Sequence, residues 1–324
     1  MNKNYLQSII GVLIGTVFLY LTLKGKNLSE LTDNLQQAKV SWLLISGICL
    51  LAILFVRALR WNVMLENIGY KVENRKVFYS VVLAYFVNSF TPRLGEIVRC
   101  TTLSKDGNVP VAQSLGSVIM ERVYDLLVLF LGLFVIAVLE VDRLGEIFEK
   151  ITETIQTTVA NSMTALLILV VGGLLLLGLL VFLASRFQIF NKIKAFVFDM
   201  IESVKSSLLM KKIGLFIAYT VVIWSLLVLM NYCFLLALPQ TDNLSLYFAM
   251  IVLFVGAVGW ALPSPGGIGT THYIILQLFL IFNLSEDAGI TFGILSNGVV
   301  FIYTIIFGLI ALALRLFQSN SQTS

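Results

Sequence analysis

Charge is what this chain has least of. Only 12% of its 324 residues are Asp, Glu, Lys or Arg, about half the share of a soluble domain. No hydrophilic block is long enough for a soluble catalytic domain, so whatever the chain does it does within or beside a bilayer. Cysteine occurs three times, at Cys49, Cys100 and Cys233. An odd number, widely spaced in apolar context, excludes a disulfide framework and a thiolate metal site, and leaves packing residues. Histidine occurs once, at His272. There is no Walker loop, no His-Glu-x-x-His, no nucleophile elbow, no dinucleotide fingerprint and no cluster of metal ligands. No cofactor and no metal is therefore expected, and the chain reads as a non-enzyme.

What is present is apolar: 58% of residues are hydrophobic and the mean hydropathy is +0.94. A spanning helix needs about 20 apolar residues at 1.5 Å each. Six segments qualify, approximately 6–23, 41–59, 114–139, 164–184, 213–238 and 289–316. The first reads as an uncleaved spanning helix, because its apolar core is long and no small-residue cleavage site follows. Trp42 and Trp61 flank the second about 28 Å apart, the spacing of two interfacial anchors.

Loop charge sets the orientation. Residues 57–76 carry Arg57, Arg60, Lys71, Arg75 and Lys76, and residues 185–212 carry Arg186, Lys192, Lys194, Lys205, Lys211 and Lys212. Residues 140–163 are acidic, with Glu140, Asp142, Glu146, Glu149 and Glu153. The positive-inside rule places the first two loops in the cytoplasm and the third outside. The basic residues thus follow the membrane's charge rule and give no support for nucleic-acid binding.

Val77 to Phe90 is apolar but spans only about 21 Å, and a crossing there would invert every later loop. A re-entrant hairpin that turns at Thr91-Pro92 and returns on the cytoplasmic side resolves both difficulties. Leu246–Leu262 and Tyr273–Phe282 read as a second hairpin, entering from the outer face and turning at Pro263–Gly269. The sequence thus predicts an all-α, polytopic helical membrane protein of about six spanning helices plus two oppositely inserted re-entrant hairpins. That pattern is compatible with an inverted repeat. It would form a single transmembrane domain over residues 1–317 with a disordered tail over 318–324, both termini being cytoplasmic. Two segments, Leu28 to Ala38 and Ile189 to Leu208, have amphipathic helical spacing. They fit helices on the membrane surface or connectors packed on the bundle.

The two hairpin turns carry the candidate site. Arg93, Glu96 and Arg99 fall roughly on one helical face, and Glu121, Arg122 and Asp125 lie near the start of a spanning helix. Charges at the bilayer centre cost about 2.5–3.5 kcal/mol each on insertion scales, so these groups must pair, reach water, or both. Arg93, Arg99 and Arg122 could offer guanidinium forks to a phosphate, or the set could be a salt-bridge clamp. In the second turn, Pro263 and Pro265 stop a helix while Gly266, Gly267 and Gly269 permit positive φ. A half-helix starting near Ile268 would point free amides at an anion, with hydroxyls from Thr270 and Thr271; the alternative is a kink for tight packing. His272 could bind phosphate, carry a proton, or be a hydrogen-bonded structural residue. Gly289-x-x-x-Gly293 fits close helix packing.

The elements Arg57-x-x-Arg60-Trp61, Asn88-Ser89-Phe90-Thr91-Pro92-Arg93-Leu94-Gly95-Glu96-x-x-Arg99, Glu121-Arg122-x-x-Asp125 and Pro263-x-Pro265-Gly266-Gly267-Ile268-Gly269 occur in this order. In this they resemble the flippase-like transmembrane domain of the lysylphosphatidylglycerol synthase family, over nearly the whole chain. Members with an added cytosolic domain make lysylphosphatidylglycerol and move it to the outer leaflet. The resemblance therefore implies a lipid flippase, or transporter of a lipid-linked intermediate, in a bacterial inner membrane, without lipid synthesis. Its partners would be the bilayer and a phospholipid or lipid-linked substrate. The chain departs from the family in having His272 where many members carry glutamate. An accessory subunit docking a separate lipid-modifying or glycosyl-transferring enzyme is the alternative. An intramembrane transferase using Glu96, Glu121 or Asp125 as base lacks the donor-binding loop it would need.

Overall fold

In hydrocarbon every backbone amide must find its partner within the protein, and long apolar runs meet that demand as helices. The structure, a computed structural model, describes residues 15–24, 28–91, 94–143, 210–261 and 267–320. All regular structure among them is helical: α1 (15–23), α2 (Leu28–Gln36), α3 (Val40–Asn67), α4 (Asn74–Phe90), α5 (Leu94–Gly107), α6 (Val111–Leu139), α7 (Ile213–Ala237), α8 (Leu246–Ala261), α9 (Thr270–Ile281) and α10 (Glu286–Asn320). Four are long and apolar enough to cross a membrane: Val40–Asn67, Val111–Leu139, Ile213–Ala237 and Glu286–Arg315. Leu44, Ile48, Leu51 and Phe55 on α3 and Ile302, Ile306 and Leu309 on α10 are exposed. This is the apolar exterior that lipid covers and water would not tolerate at such extent. The expected span over 164–184 and the amphipathic segment from Ile189 to Leu208 lie outside the described residues, as do residues 321–324 of the tail; α10 itself continues to Asn320.

The chain divides into two compact units, Met1–Leu129 with Lys211–Ser324, and Phe130–Met210. In the second, the described residues end α6 and include an Arg143–Glu140 ion pair at 3.1 Å. The other elements belong to the first unit, whose two ends are marked by polar contacts. At one end Asn62 donates to Val72 O at 2.9 Å and to Asn74 Oδ1 at 2.6 Å, Lys212 pairs with Glu66, and Arg315 pairs with Asp106 at 2.6 Å. The ends of α3, α5 and α10 thus lie beside the starts of α4 and α7. At the other end Lys39 N donates to Ala237 O at 2.8 Å and Lys39 Nζ pairs with Asp242 at 2.8 Å. The start of α3 therefore meets the end of α7.

These contacts define two hairpins of opposite sense. α4 starts and α5 ends at the first end, and the missing Cβ of Gly107 leaves room for Val72. Between them the turn reaches the middle of α10: Ser89 Oγ bonds Thr304 Oγ1 at 2.9 Å and the Phe90 and Phe301 rings lie 6.0 Å apart. Thr304 is about 16 Å along the helix from Arg315, roughly half the hydrocarbon thickness. α8 and α9 form the second hairpin. Phe248, near the start of α8, packs its ring against Phe279 and Phe282 at the end of α9, at 5.4 and 5.2 Å, while Gly259 and Thr271 meet at the tip.

The first hairpin packs into the core through Val77, Val81, Val82, Cys100 and Leu103 against Leu54, Ala58, Trp61 and Leu65. Its arms approach closely at Gly95, whose N–H donates to Asn88 Oδ1 at 2.8 Å and where a Cβ would collide with the Ala84 carbonyl. Gly289 and Gly293 likewise admit Phe279 and His272 of α9, as their spacing predicts. α2 is packed on the bundle, with Leu31 buried among Leu276 and Ile290. All three cysteines are buried and free.

Two expectations are corrected. α3 does not stop at residue 59 but runs to Asn67, so Arg57 and Arg60 are buried in the bundle instead of lying in a cytoplasmic loop. Trp61 is not an interfacial anchor: it is fully buried and its Nε1 donates to Ser117 Oγ at 2.9 Å. Both errors have one cause, since a hydropathy window closes at the first arginine although buried partners let the helix continue.

Gly95→Ala is expected to destabilise the protein by about 1–3 kcal/mol, read as a lower thermal unfolding midpoint in detergent. Gly116→Ala, where a Cβ meets nothing within 4 Å, should leave the midpoint unchanged or slightly raised. Single cysteines replacing the exposed Lys71 and Lys105 should react with impermeant maleimide from one face of the membrane, and one replacing Asn243 from the other. Labelling of positions 71 and 105 from opposite faces would contradict the first hairpin.

Candidate functional site

Residues four apart on a helix share a face, so Glu121 and Asp125 project together from α6. Arg57 and Arg60, three apart on α3, meet them. Arg60, wholly buried, donates from Nη2 to Glu121 Oε1 at 2.7 Å and from Nη1 to Asp125 Oδ1 at 2.7 Å, with a further bond to Thr220 Oγ1 at 3.3 Å. Arg99 on α5 pairs with the other oxygen of Glu121 and lies 3.9 Å from the Trp61 ring centre. Arg57 Nη1 and Arg122 Nη1 reach Asp125 Oδ2 at 3.4 and 3.8 Å. Two carboxylates thus hold four guanidinium groups. Placing such charges in low dielectric is costly unless each is paired and hydrogen-bonded, and the aromatic faces of Trp61 and Phe216 add cation–π attraction.

The cluster has a closed side and an open side. Arg60, Arg99 and Glu121 are buried and their charges are spent on one another. Arg57, Arg122 and Asp125 line a cavity of about 380 Å³, within the range of small-molecule sites, ~300–1,000 Å³. Tyr85 of the first hairpin and Val252, Gly256, Trp260, Thr271 and Ile275 of the second form its walls with α3, α7 and α10. Both hairpins therefore border one chamber.

The expected site residues divide accordingly. Glu121, Arg122 and Asp125 come together with Arg99, but Arg99 turns its fork to Glu121 and does not line the cavity. Glu96 is half-buried on α5, with Oε2 buried and unbonded among the described residues. Arg93, Pro265 and Gly266 lie outside the described residues.

At the second turn Gly267 and Gly269 have φ of 71° and 84°, the left-handed region glycine adopts freely. Gly269 caps α9, but its N–H donates to His272 Nδ1 at 3.2 Å, and Thr270 Oγ1 donates to Gly259 O at 2.9 Å. The expected free amide at Gly269 and free hydroxyl at Thr270 are thus taken up within the hairpin. Thr271 alone of these lines the cavity, with an Oγ1 that has no partner among the described residues. His272 is buried, acts as a cap and packs against Gly293.

Sequence reasoning missed Arg57, Tyr85, Trp224, Trp260, Ser296 and Asn297 as lining residues. Arg57 was visible as an arginine one turn from Arg60 once α3 is allowed to continue. Asn297 was visible as a polar residue inside a span, a placement that by itself marks a functional candidate.

Four apolar spans, shorter paired helices and a polar chamber among them define a polytopic helical membrane protein. The chain belongs to the family described as the lysylphosphatidylglycerol synthase TM region, whose model matches residues 8–308. A UPF0104 membrane protein of Methanocaldococcus jannaschii is 25% identical over 322 residues, covering 94% of each chain. A UPF0104 membrane protein of Pyrococcus horikoshii is 23% identical over 337 residues, covering 97% of this chain and 98% of its own. No solved structure matches. The matched family region is transmembrane, and no catalytic domain is evident.

Glu121→Gln leaves the buried Arg99 without its counter-charge and Arg60 with Asp125 alone, and should destabilise the fold by about 3–5 kcal/mol, seen as loss of monodisperse protein in detergent. Arg122→Gln, at a side chain 42% exposed with one 3.8 Å contact, should be far milder in the same assay.

Proposed function

We propose that the protein moves a phosphate-bearing lipid, or a lipid-linked intermediate, between the leaflets of a bacterial inner membrane. The supporting observation is a cavity bordered by both hairpins, with Arg57 and Arg122 at its charged pole and mostly apolar walls elsewhere. A headgroup fits that pole, where a guanidinium fork matches phosphate oxygens, while the acyl chains stay in lipid. Lys71, Arg75 and Lys76, with Lys211, Lys212 and Arg315, cluster at the end where the first hairpin opens. By the positive-inside rule this end is cytoplasmic, with both termini on that side. Arg122 keeps the phosphate-binding role expected of it, Arg57 takes the place expected of Arg99, and Arg93 is retained as a candidate. Gly267, Gly269 and Thr270 shape the second turn, Thr271 and its neighbours meet the headgroup there, and Pro265 and Gly266 are retained as candidates.

The closed Arg60–Glu121–Arg99 triad supports a second reading, in which the cluster is a clamp and the protein is an accessory subunit of a separate lipid-modifying or glycosyl-transferring enzyme. Purified protein in liposomes distinguishes them. Labelled phospholipid should exchange between leaflets faster than in empty vesicles, and Arg122→Ala should slow exchange at least tenfold with Arg122→Lys intermediate. Wild-type vesicles no faster than empty ones, across several lipid classes, would sink the transport reading.

A further inference from the structure

The cavity has a second polar region, away from the arginines and made of uncharged groups. Five buried polar atoms on its lining residues have no hydrogen-bond partner among the described residues: Arg57 Nε, Arg122 Nε, Trp224 Nε1, Thr271 Oγ1 and Asn297 Nδ2. Every one can donate, and both arginine nitrogens and the indole nitrogen can only donate. Thr271 is 5% and Asn297 9% exposed, and a buried donor left unmade is costly.

Their placement is fixed by the fold. Trp224 lies one helical turn beyond Thr220, which accepts from Arg60 at 3.3 Å, and so stands about 6 Å along α7 from the ion cluster. Its ring is stacked on Phe254 at 5.0 Å with 8° between planes, which holds its orientation. Asn297 follows Gly293 by one turn on α10, and Gly293 packs against His272, the neighbour of Thr271. The uncharged donors thus gather on the side of the second hairpin, beyond the arginines of the first end.

Acceptors are supplied very differently. Asp125 is the one carboxylate among the described lining residues, and it already takes Arg57, Arg60 and Arg122. An ammonium group, which only donates, would face donors and guanidinium charges with no carboxylate free to receive it. We propose that this cavity selects a phosphodiester whose headgroup carries uncharged hydroxyls and discriminates against one carrying an amine. Arg57 and Arg122 take the phosphate, and Trp224, Thr271 and Asn297 donate to the headgroup oxygens. The selection runs opposite to what a lysylated, cationic headgroup would need. It rests on the transport reading for the site and goes further in naming the substrate's chemistry.

The test is lipid binding to purified full-length protein in nanodiscs, titrated separately with phosphatidylglycerol, phosphatidic acid and phosphatidylethanolamine. Phosphatidylglycerol should bind at least tenfold tighter than phosphatidylethanolamine and several-fold tighter than phosphatidic acid, which lacks the hydroxyl-bearing extension. Trp224→Phe keeps the stacked ring and removes the N–H, and Thr271→Val keeps the shape and removes the hydroxyl. Each should reduce the ratio of phosphatidylglycerol to phosphatidic acid affinity by about threefold to tenfold, the worth of one neutral hydrogen bond. Deacylated glycerophosphoglycerol should displace the lipid only in large excess; displacement at equal concentration would overturn a lipid as the source of the headgroup. Equal binding of phosphatidylglycerol and phosphatidylethanolamine, or an unchanged ratio in both variants, overturns the selection while leaving transport standing. No binding of any phospholipid overturns both.

Discussion

Two carboxylates on one face of α6 hold this membrane unit together. Glu121 and Asp125 receive arginines from α3 and α5 and one from α6 itself, so three separate stretches of chain are tied at one depth. The tie is not a large source of stability in the ordinary sense, because desolvating charges offsets much of their attraction. Its effect is specificity. Alternative packings of α3 and α5 against α6 would leave a guanidinium facing hydrocarbon, and no arrangement of leucines penalises a misplaced helix as sharply.

The same arrangement separates structure from recognition within one cluster. Arg60 and Arg99 are enclosed, with every strong contact directed at a carboxylate or an aromatic face. Arg57 and Arg122 hold Asp125 at longer range and border the cavity. The sequence could show that both tasks fit these residue types but not which arginine had which. The division depends on the angle between α3 and α6, which no local pattern encodes.

Much of the architecture was legible because hydrocarbon imposes a length scale. Three of the four long spans, the first arm of the first hairpin and both arms of the second begin and end close to where apolar run length and loop charge place them. Failure came where burial overrides composition. Arg57, Arg60 and Trp61 read as a polar boundary because charged residues normally end a span, and nothing local announces that their partners lie some 60 positions later, in Ser117, Glu121 and Asp125. The second turn was read rightly as a break with glycine at positive φ. The capture of Gly269 N–H by His272 and of Thr270 by Gly259 depends on side-chain directions that spacing does not fix. Trp224 and Asn297 were passed over for a further reason: each lies in a helix whose apolar residues dominate any average.

The anchoring of the first hairpin bears on biogenesis. Its turn is secured by Ser89 against Thr304 and by Phe90 against Phe301, contacts between residues more than 200 positions apart. Gly308 also leaves the space that Phe86 fills. A ribosome makes α4 and α5 long before α10, so during translation the newly made arms have none of these neighbours. The first hairpin reaches its native seat only after α10 has been synthesised, so this part of the membrane unit matures well after its own arms are made.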